Sequence, residues 1–180
     1  AASFLKKAGL RTVLSDGIPS SFDQITDYDA IVIALKSRTQ ETHRAVQDSL
    51  DALQWLRDHG AQKLYLKYCS TFDSTPTGNI GPVADATMER FSVPYTILAP
   101  ALLPNGRTVR DGTLFVNGTP LAESHMRHHP LTPMWDSRIA ELMRRQSAYP
   151  CFPIPESFYS DSAALFSQIS LWQQQYSHFY

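Results

Sequence analysis

The sequence predicts an α/β fold with a mostly parallel sheet flanked by helices and a β-hairpin insertion. Two observations predict it. Apolar runs typical of buried strands alternate with amphipathic segments at helical spacing, and an Asn-Gly pair joins two strand-like segments further along. The β-α-β-α-β order favours parallel strands joined by right-handed crossovers. We interpret residues 1–180 as one domain, long enough to bury a hydrophobic core.

The first elements are a helix end and the strands of the sheet. Residues 1–8 are predicted to end a helix, with Gly9 just beyond its last turn. The clearest strand is 31–35, because its continuous β-branched run suits a strand buried on both faces. Further strands are predicted at 10–14, 63–68 and 95–99.

Two helices are predicted between these strands. One covers residues 40–59, capped by Thr39 and ended by Gly60. The other covers 80–91, where Pro82 is tolerated in the first turn.

The pattern changes after the last of these strands. Segments 108–116 and 119–122 are predicted to pair as a hairpin around Asn117-Gly118. Asp136 is predicted to cap a helix to about residue 146, and Asp161 to cap another near the end.

Composition and charge exclude several function classes. The 16 basic and 17 acidic residues give a net charge of -1, whereas a nucleic-acid-binding face needs a basic excess. No apolar run reaches the roughly 20 residues that cross a bilayer. Cys69 and Cys151 have no zinc-type spacing. Two reduced thiols in a cytoplasmic protein are favoured, and a single disulfide stays open.

Polar and cationic side chains follow three of the predicted strands. Because the carboxyl ends of parallel strands meet at one sheet edge, we expect these clusters to converge on one site. Arginine forks suit a carboxylate, and hydroxyl, amide and carboxylate groups suit a sugar acid. Alternatively, Lys36 and Arg38 are solvated loop charges, or Arg107 pairs with Asp111. The candidates are Lys36, Ser37, Arg38, Lys67, Ser70, Thr71, Asp73, Ser74, Asn105 and Arg107.

Two further features leave alternatives open. Residues 78–82 open a helix with a glycine-containing turn, which suits either an anion site or a structural turn, without a Walker-type ending. His125, His128 and His129 have a spacing that fits no common zinc pattern. A substrate hydrogen bond from one of them is favoured over a metal site, and a surface cluster is the alternative.

Several motifs resemble the four-carbon acid sugar kinase family, most closely its 3-oxo-tetronate kinase branch. The main one is Lys-Tyr-Cys-Ser-Thr-Phe-Asp-Ser-Thr at 67–75, followed by Gly-Asn-Ile-Gly-Pro-Val at 78–83. Three shorter pieces agree, at 35–38, 105–108 and 129–134. The resemblance covers nearly the whole chain.

The resemblance implies a two-domain kinase. Its N-terminal α/β domain would bind the sugar acid, and its C-terminal domain would bind most of the ATP and Mg²⁺. The γ-phosphoryl group would pass to the terminal hydroxyl of a four-carbon 3-oxo acid. Asp73 is then a candidate catalytic residue, Asn79 and His129 join the substrate contacts, and a homodimer is compatible with the family.

The sequence also departs from the family. An Asp-Asp-Phe-Thr-Gly-Ala pattern is expected just before Ala1, and the opening residues have the character of mid-helix, so we expect a fragment truncated at both ends. His125 replaces a usual Gly, and Leu103-Pro104 replaces a usual Pro-Val. Residues 1–180 alone are expected to be inactive. Alternatives are a non-catalytic sugar-acid-binding module, a threonate or erythronate kinase, and an unrelated aldolase or isomerase.

Overall fold

The computed structural model describes residues 1–20, 27–73 and 75–180. The chain divides into two compact units, residues 1–67 and 68–180. Helices and small sheets occur in a mixed order, which confirms the α/β class. None of the helices in the described part of the chain has the length and apolarity needed to cross a membrane.

The first unit holds a small parallel sheet. Its elements are α1 (Ala2–Lys7), β1 (Thr12–Asp16), β2 (Ala30–Ala34) and α2 (Thr42–Asp58). Strands β1 and β2 pair in parallel over their whole length, and α1 contacts both strands. The predicted parallel pairing is therefore confirmed here, with the first strand two residues later than expected.

The helix ends of this unit follow glycine and capping chemistry. Gly9 and Gly60 have φ angles of +89° and +88° just beyond α1 and α2, as predicted. The predicted Thr39 cap is wrong. The cap of α2 is Glu41, whose carboxylate accepts the Arg44 N–H at 3.1 Å. Thr39 lies too far before the first turn to reach those amides.

The second unit contains three α-helices and an antiparallel sheet among its described residues. Its helices are α3 (Ile80–Phe91), α4 (Ile139–Arg144) and α5 (Ser162–Gln175). Its strands are β3 (Arg107–Arg110), β4 (Thr113–Val116) and β5 (Thr119–Pro120), paired in that order. Helix α3 has the predicted bounds, and Asp161 caps α5 through the Ala164 N–H at 2.9 Å, as predicted.

The hairpin contains one more turn than expected. Asn117 and Gly118 have φ angles of +50° and +83°, which confirms the predicted turn. Residues 108–116 are not one strand, because Asp111 and Gly112 form a second turn with φ angles of +45° and +75°. Asp-Gly is itself a hairpin-turn pair, so the sequence carried this signal.

Two predicted strands are wrong. Within the described residues, 63–68 forms no strand, and 95–99 contributes only a single parallel bridge from Tyr95 to Phe179. Both segments have β-type sequences, but a strand also needs a neighbour that completes the hydrogen-bond ladder.

The core of the second unit joins α4 to the hairpin. Leu114 is fully buried, and its N–H donates to the Ser137 carbonyl at 2.8 Å. The prediction that Asp136 caps this helix is wrong, since α4 begins at Ile139. Asp136 instead accepts two hydrogen bonds from the Arg138 guanidinium.

Polar contacts tie α3 to the end of the chain. Asp85 accepts hydrogen bonds from the Ser147 hydroxyl, the Ala148 N–H and the Tyr180 hydroxyl. Burial is the main cause of a raised pKa of Tyr180, and its hydrogen bond to the Asp85 carboxylate is the second cause. Cys69 and Cys151 are both free thiols, and burial raises the pKa of Cys151 to about 12.

Candidate functional site

The loop around Asp73 buries a carboxylate that the sequence places at the site. Asp73 is 5% exposed and accepts a 2.5 Å hydrogen bond from the Thr71 hydroxyl. Thr71 also contacts the Cys69 thiol at 3.1 Å. Phe72, which lies between Thr71 and Asp73, is fully buried. Its φ is +52°, a conformation that costs a non-glycine residue on the order of 1 kcal/mol. The buried ring therefore holds the loop in a strained form that fixes Asp73.

The segment after this loop leads into α3. Asn79 precedes the helix and is 7% exposed. The Gly81 N–H donates to the Gln146 side chain, Pro82 has no N–H, and the Val83 N–H donates to the Asn79 carbonyl. Because these first amides are committed or missing, the arrangement favours a structural turn at 78–82 over an anion site.

Arg107 lies at the start of β3, directly after a tight turn. Gly106 has φ of +68°, a conformation that glycine adopts readily, so this turn can set the direction of the next side chain. The Arg107 guanidinium donates to the Asn105 carbonyl, while its buried Nε has no hydrogen-bond partner among the residues that the structure describes. An N–H of a permanent cation that is buried without an acceptor can be satisfied by an anionic ligand.

The alternative pairing of Arg107 with Asp111 is not present among the described contacts. Asp111 instead accepts the Glu156 N–H at 3.0 Å. The ion pair at this end of the hairpin joins Arg110 to Glu156, at 3.3 Å. Among the described residues, the guanidinium of Arg107 is therefore not paired with a carboxylate that would stabilise the hairpin.

His129 is held in one orientation by Thr132. Its Nδ1 accepts the Thr132 N–H at 3.1 Å and lies 2.9 Å from the Thr132 hydroxyl. Since a backbone amide can only donate, Nδ1 is the acceptor, and Nε2 carries the hydrogen in the neutral ring. This leaves Nε2 as the donor end of the ring. Among the residues that the structure describes, no group of three or more His, Cys, Asp or Glu side chains could hold a metal ion.

The remaining predicted residues lie near strand ends or in loops. Lys36, Ser37 and Arg38 follow β2, as expected, and both cations are exposed. Lys67 is exposed, and Ser70 is half-buried beside the Asp73 loop. Ser74 lies outside the described residues. The structure thus joins Thr71 to Asp73 and Asn105 to Arg107, and convergence of all the clusters stays a prediction.

Two residues next to the site were not predicted from the sequence. Thr132 orients His129, and Gln146 bonds to the segment before α3. Thr132 lies in a motif that resembles the kinase family, so a signal was present. Gln146 had none, because its partners are 65 and 71 positions away along the chain.

A cavity of about 370 Å³ in the second unit is separate from these residues. Its walls are aromatic and aliphatic, including Tyr95, Phe152, Trp172 and Phe179, and none of the predicted site residues that the structure describes lines it. It offers few partners for a hydroxylated acid, which needs hydrogen bonds to its polar groups.

Comparisons with solved structures give the fold a wider context. A crystal structure of a Haemophilus influenzae protein matches 99% of this chain and 43% of its own, with TM-score 0.92 and 41% identity. A Bordetella bronchiseptica domain, crystallised with bound citrate as a domain-swapped dimer, matches 79% of this chain and 36% of its own. Its TM-score is 0.65 and its identity 27%.

Sequence comparisons point to one family. A 3-oxo-tetronate kinase of Pectobacterium atrosepticum is 53% identical over 154 residues, which are 86% of this chain and 36% of the relative. The chain therefore spans little more than a third of that relative's length. The model of the sugar-binding N-terminal domain family matches residues 1–177. This chain belongs to the family of sugar-binding N-terminal domains that such kinases contain.

Proposed function

We propose that the chain is the sugar-acid-binding domain of an ATP-dependent kinase that phosphorylates the 4-hydroxyl of a 3-oxo-tetronate. The observation that carries the proposal concerns the environments of two side chains, Asp73 and Arg107, in a chain of this family. Asp73 is buried and oriented, and Arg107 has a buried N–H with no acceptor among the described residues. A four-carbon 3-oxo acid has a carboxylate at one end and a hydroxyl at the other, so its two ends match these two groups.

Each group has a distinct role in this proposal. Arg107 binds the substrate carboxylate through two parallel N–H···O bonds, which suit its planar guanidinium. Asp73 accepts a hydrogen bond from the terminal hydroxyl and receives its proton as the hydroxyl oxygen attacks the γ-phosphorus of ATP. The bond from that phosphorus to the β,γ-bridging oxygen breaks, and ADP leaves. The Nε2–H of His129 donates to a substrate oxygen. Further proposed contacts are Lys36, Ser37, Arg38, Lys67, Ser70, Thr71, Ser74, Asn79 and Asn105.

ATP and Mg²⁺ enter the proposal as groups bound mainly outside this chain. The described residues present no cluster that fits a metal ion, so no step is assigned to one here. When bound, Mg²⁺ would neutralise negative charge on the phosphate oxygens of ATP. Since ATP is the phosphate donor, the proposal includes a cytoplasmic location. It also includes a homodimer, which the domain-swapped dimer of the Bordetella relative supports.

Binding without catalysis and use of a related acid are the competing possibilities. The citrate in the Bordetella relative is also a hydroxylated carboxylate, which supports recognition of this ligand class without choosing among its members. A threonate or erythronate kinase and a non-catalytic module would both use the same carboxylate contact.

A kinase assay separates these possibilities. The full-length protein that contains this chain should transfer the γ-phosphoryl group of ATP to a 3-oxo-tetronate faster than to threonate or erythronate. Residues 1–180 alone should bind the 3-oxo acid weakly in calorimetry and show no ATP turnover. Binding without turnover by the full-length protein would favour the non-catalytic module, and turnover by residues 1–180 would contradict the assignment of ATP to other residues.

A further inference from the structure

We propose that Gln146 is a positioning residue that holds segment 75–81 at the substrate site through both ends of its side-chain amide. This inference rests on the proposed function, because it matters for catalysis only if Asp73 and Asn79 contact the sugar acid. Gln146 itself is not assigned a contact with substrate.

The side chain of Gln146 bridges the two ends of this segment. Its Oε1 accepts the Gly81 N–H at 3.1 Å, and its Nε2 donates to the Thr75 carbonyl at 2.9 Å. Asn79, which is 7% exposed, lies between these two attachment points. One amide group therefore closes a loop whose ends are six residues apart.

The backbone also approaches Gln146 closely. A Cβ atom on Gly81 would lie 2.5 Å from the Gln146 Cβ and 2.7 Å from its carbonyl oxygen. Gly81 is therefore required at this contact, and the segment cannot move further toward the backbone of Gln146. The two hydrogen bonds oppose motion in the other direction, so the position of the segment is fixed from both sides.

The chemistry of the amide explains why glutamine suits this place. The bridge needs an acceptor for the Gly81 N–H and a donor for the Thr75 carbonyl on the same terminal group. Glutamate keeps the acceptor but faces the Thr75 carbonyl with a second oxygen. Methionine has a similar length and lacks both functions.

Loss of the bridge should act on substrate binding more than on folding. Asn79 is attached to this segment, and Asp73 lies two residues before its start. A misplacement of about 1 Å at a positioned group can cost on the order of a hundredfold in rate. We expect a smaller effect here, because Phe72 independently anchors the Asp73 loop.

Two variants of the full-length protein test this role. Gln146→Met and Gln146→Glu should each raise the KM for a 3-oxo-tetronate about tenfold or more while leaving the KM for ATP unchanged. Amide hydrogen exchange of a peptide covering residues 75–81 should become faster in both, with or without substrate.

Tyr149→Phe is the matched control. It removes the hydrogen bond from the Tyr149 hydroxyl to Glu89 at 2.5 Å, which ties the neighbouring residues to the other end of α3. It should lower the melting temperature without changing exchange at 75–81 or the substrate KM.

The outcomes separate the two proposals. If both Gln146 variants lower only the melting temperature, as is expected of Tyr149→Phe, with unchanged KM and exchange at 75–81, the positioning role is wrong. If the wild-type protein phosphorylates no four-carbon acid, the proposed function fails. In that case unchanged exchange still refutes the bridge, and faster exchange supports its hold on the segment.

Discussion

The Asp73 loop and the Arg107 turn both follow predicted strands, yet they surround their charges differently. Asp73 is 5% exposed and accepts the Thr71 hydroxyl within a loop anchored by Phe72. Arg107 begins an edge strand and donates to a nearby carbonyl, and its buried Nε has no partner within the described part of the chain. The carboxylate is part of the local packing, whereas the guanidinium keeps unused donor capacity.

This difference separates two kinds of site residue. Replacing a buried carboxylate changes stability and chemistry together, because its hydrogen-bond donors lose their acceptor. Replacing a cation with unused donors should change ligand binding with little effect on the free energy of unfolding. Matched variants at the two positions can therefore break or sharpen the comparison.

The largest effect is expected at Asp73. Asp73→Asn keeps an oxygen acceptor for the Thr71 hydroxyl but cannot take a proton, so kcat of the full-length kinase should fall by about a hundredfold or more, with a small change in melting temperature. Asp73→Ala should lose as much activity and also destabilise the fold by about 1–3 kcal/mol, since the Thr71 hydroxyl stays buried without its acceptor. Kinetics and thermal melts of both variants decide. Near wild-type kcat in Asp73→Asn would remove the carboxylate from the mechanism.

The turn before Arg107 should be the next most sensitive position. Gly106→Ala places a side chain at φ of +68° and against the Asn117 Oδ1, so the Asn117 side chain must turn away. We expect a loss of about 1–2 kcal/mol in stability together with a higher KM for the sugar acid, because Arg107 is re-aimed. Gly118→Ala is the control, since its φ is +83° but its Cβ would meet no atom within 4 Å. Equal KM values in the two variants would show that the turn does not aim Arg107.

Arg107→Lys should change binding alone. A lysine cannot reproduce a bidentate fork, so the KM for the sugar acid should rise about tenfold, or about 1.4 kcal/mol, while the KM for ATP and the melting temperature barely move. Arg110→Lys, on the same strand but paired with Glu156, should leave both KM values unchanged. A lower melting temperature with unchanged KM would return Arg107 to a structural role.

The sequence predicted the elements whose signals are local. Pro82 and the apolar spacing place α3, and Asp161 places the start of α5. The strands expected at 63–68 and 95–99 were wrong because their apolar composition indicates extended backbone, while the ladder depends on a neighbouring strand.

The site follows the same division. Asp73 and Arg107 could be chosen because each lies in a short motif at a predicted strand end. Gln146 could not, because its two bonds join segments far apart in the chain. The missed turn at Asp111-Gly112 is different, since its signal was local and a hairpin was already placed one turn later.

The smallest effect is expected at the ion pair between Arg11 and Asp29. Arg11 differs from Arg107 because its guanidinium binds carboxylates. Its guanidinium donates to both oxygens of Asp29, at 3.0 and 2.7 Å, and its backbone N–H donates as well, at 2.9 Å. These hydrogen bonds lower the pKa of Asp29 from 3.8 to about 2. The bonds from the guanidinium have the larger effect, and the bond from the backbone N–H has the next largest.

A carboxyl group with a lowered folded-state pKa stabilises the protein above its ordinary pKa, and this contribution is lost as the pH falls toward the lowered value. Asp29→Asn should therefore lower the melting temperature slightly at pH 7, and the difference from wild type should shrink between about pH 4 and pH 2. The effect should be small, because the pair is exposed and Asp27 also pairs with Arg11. Thermal melts of both proteins at pH 7, 5, 4 and 3 measure it. A difference in melting temperature that stays constant across this range would mean that the charge of Asp29 contributes nothing to stability. The two hydrogen bonds from the Arg11 guanidinium would then stabilise the protein independently of that charge.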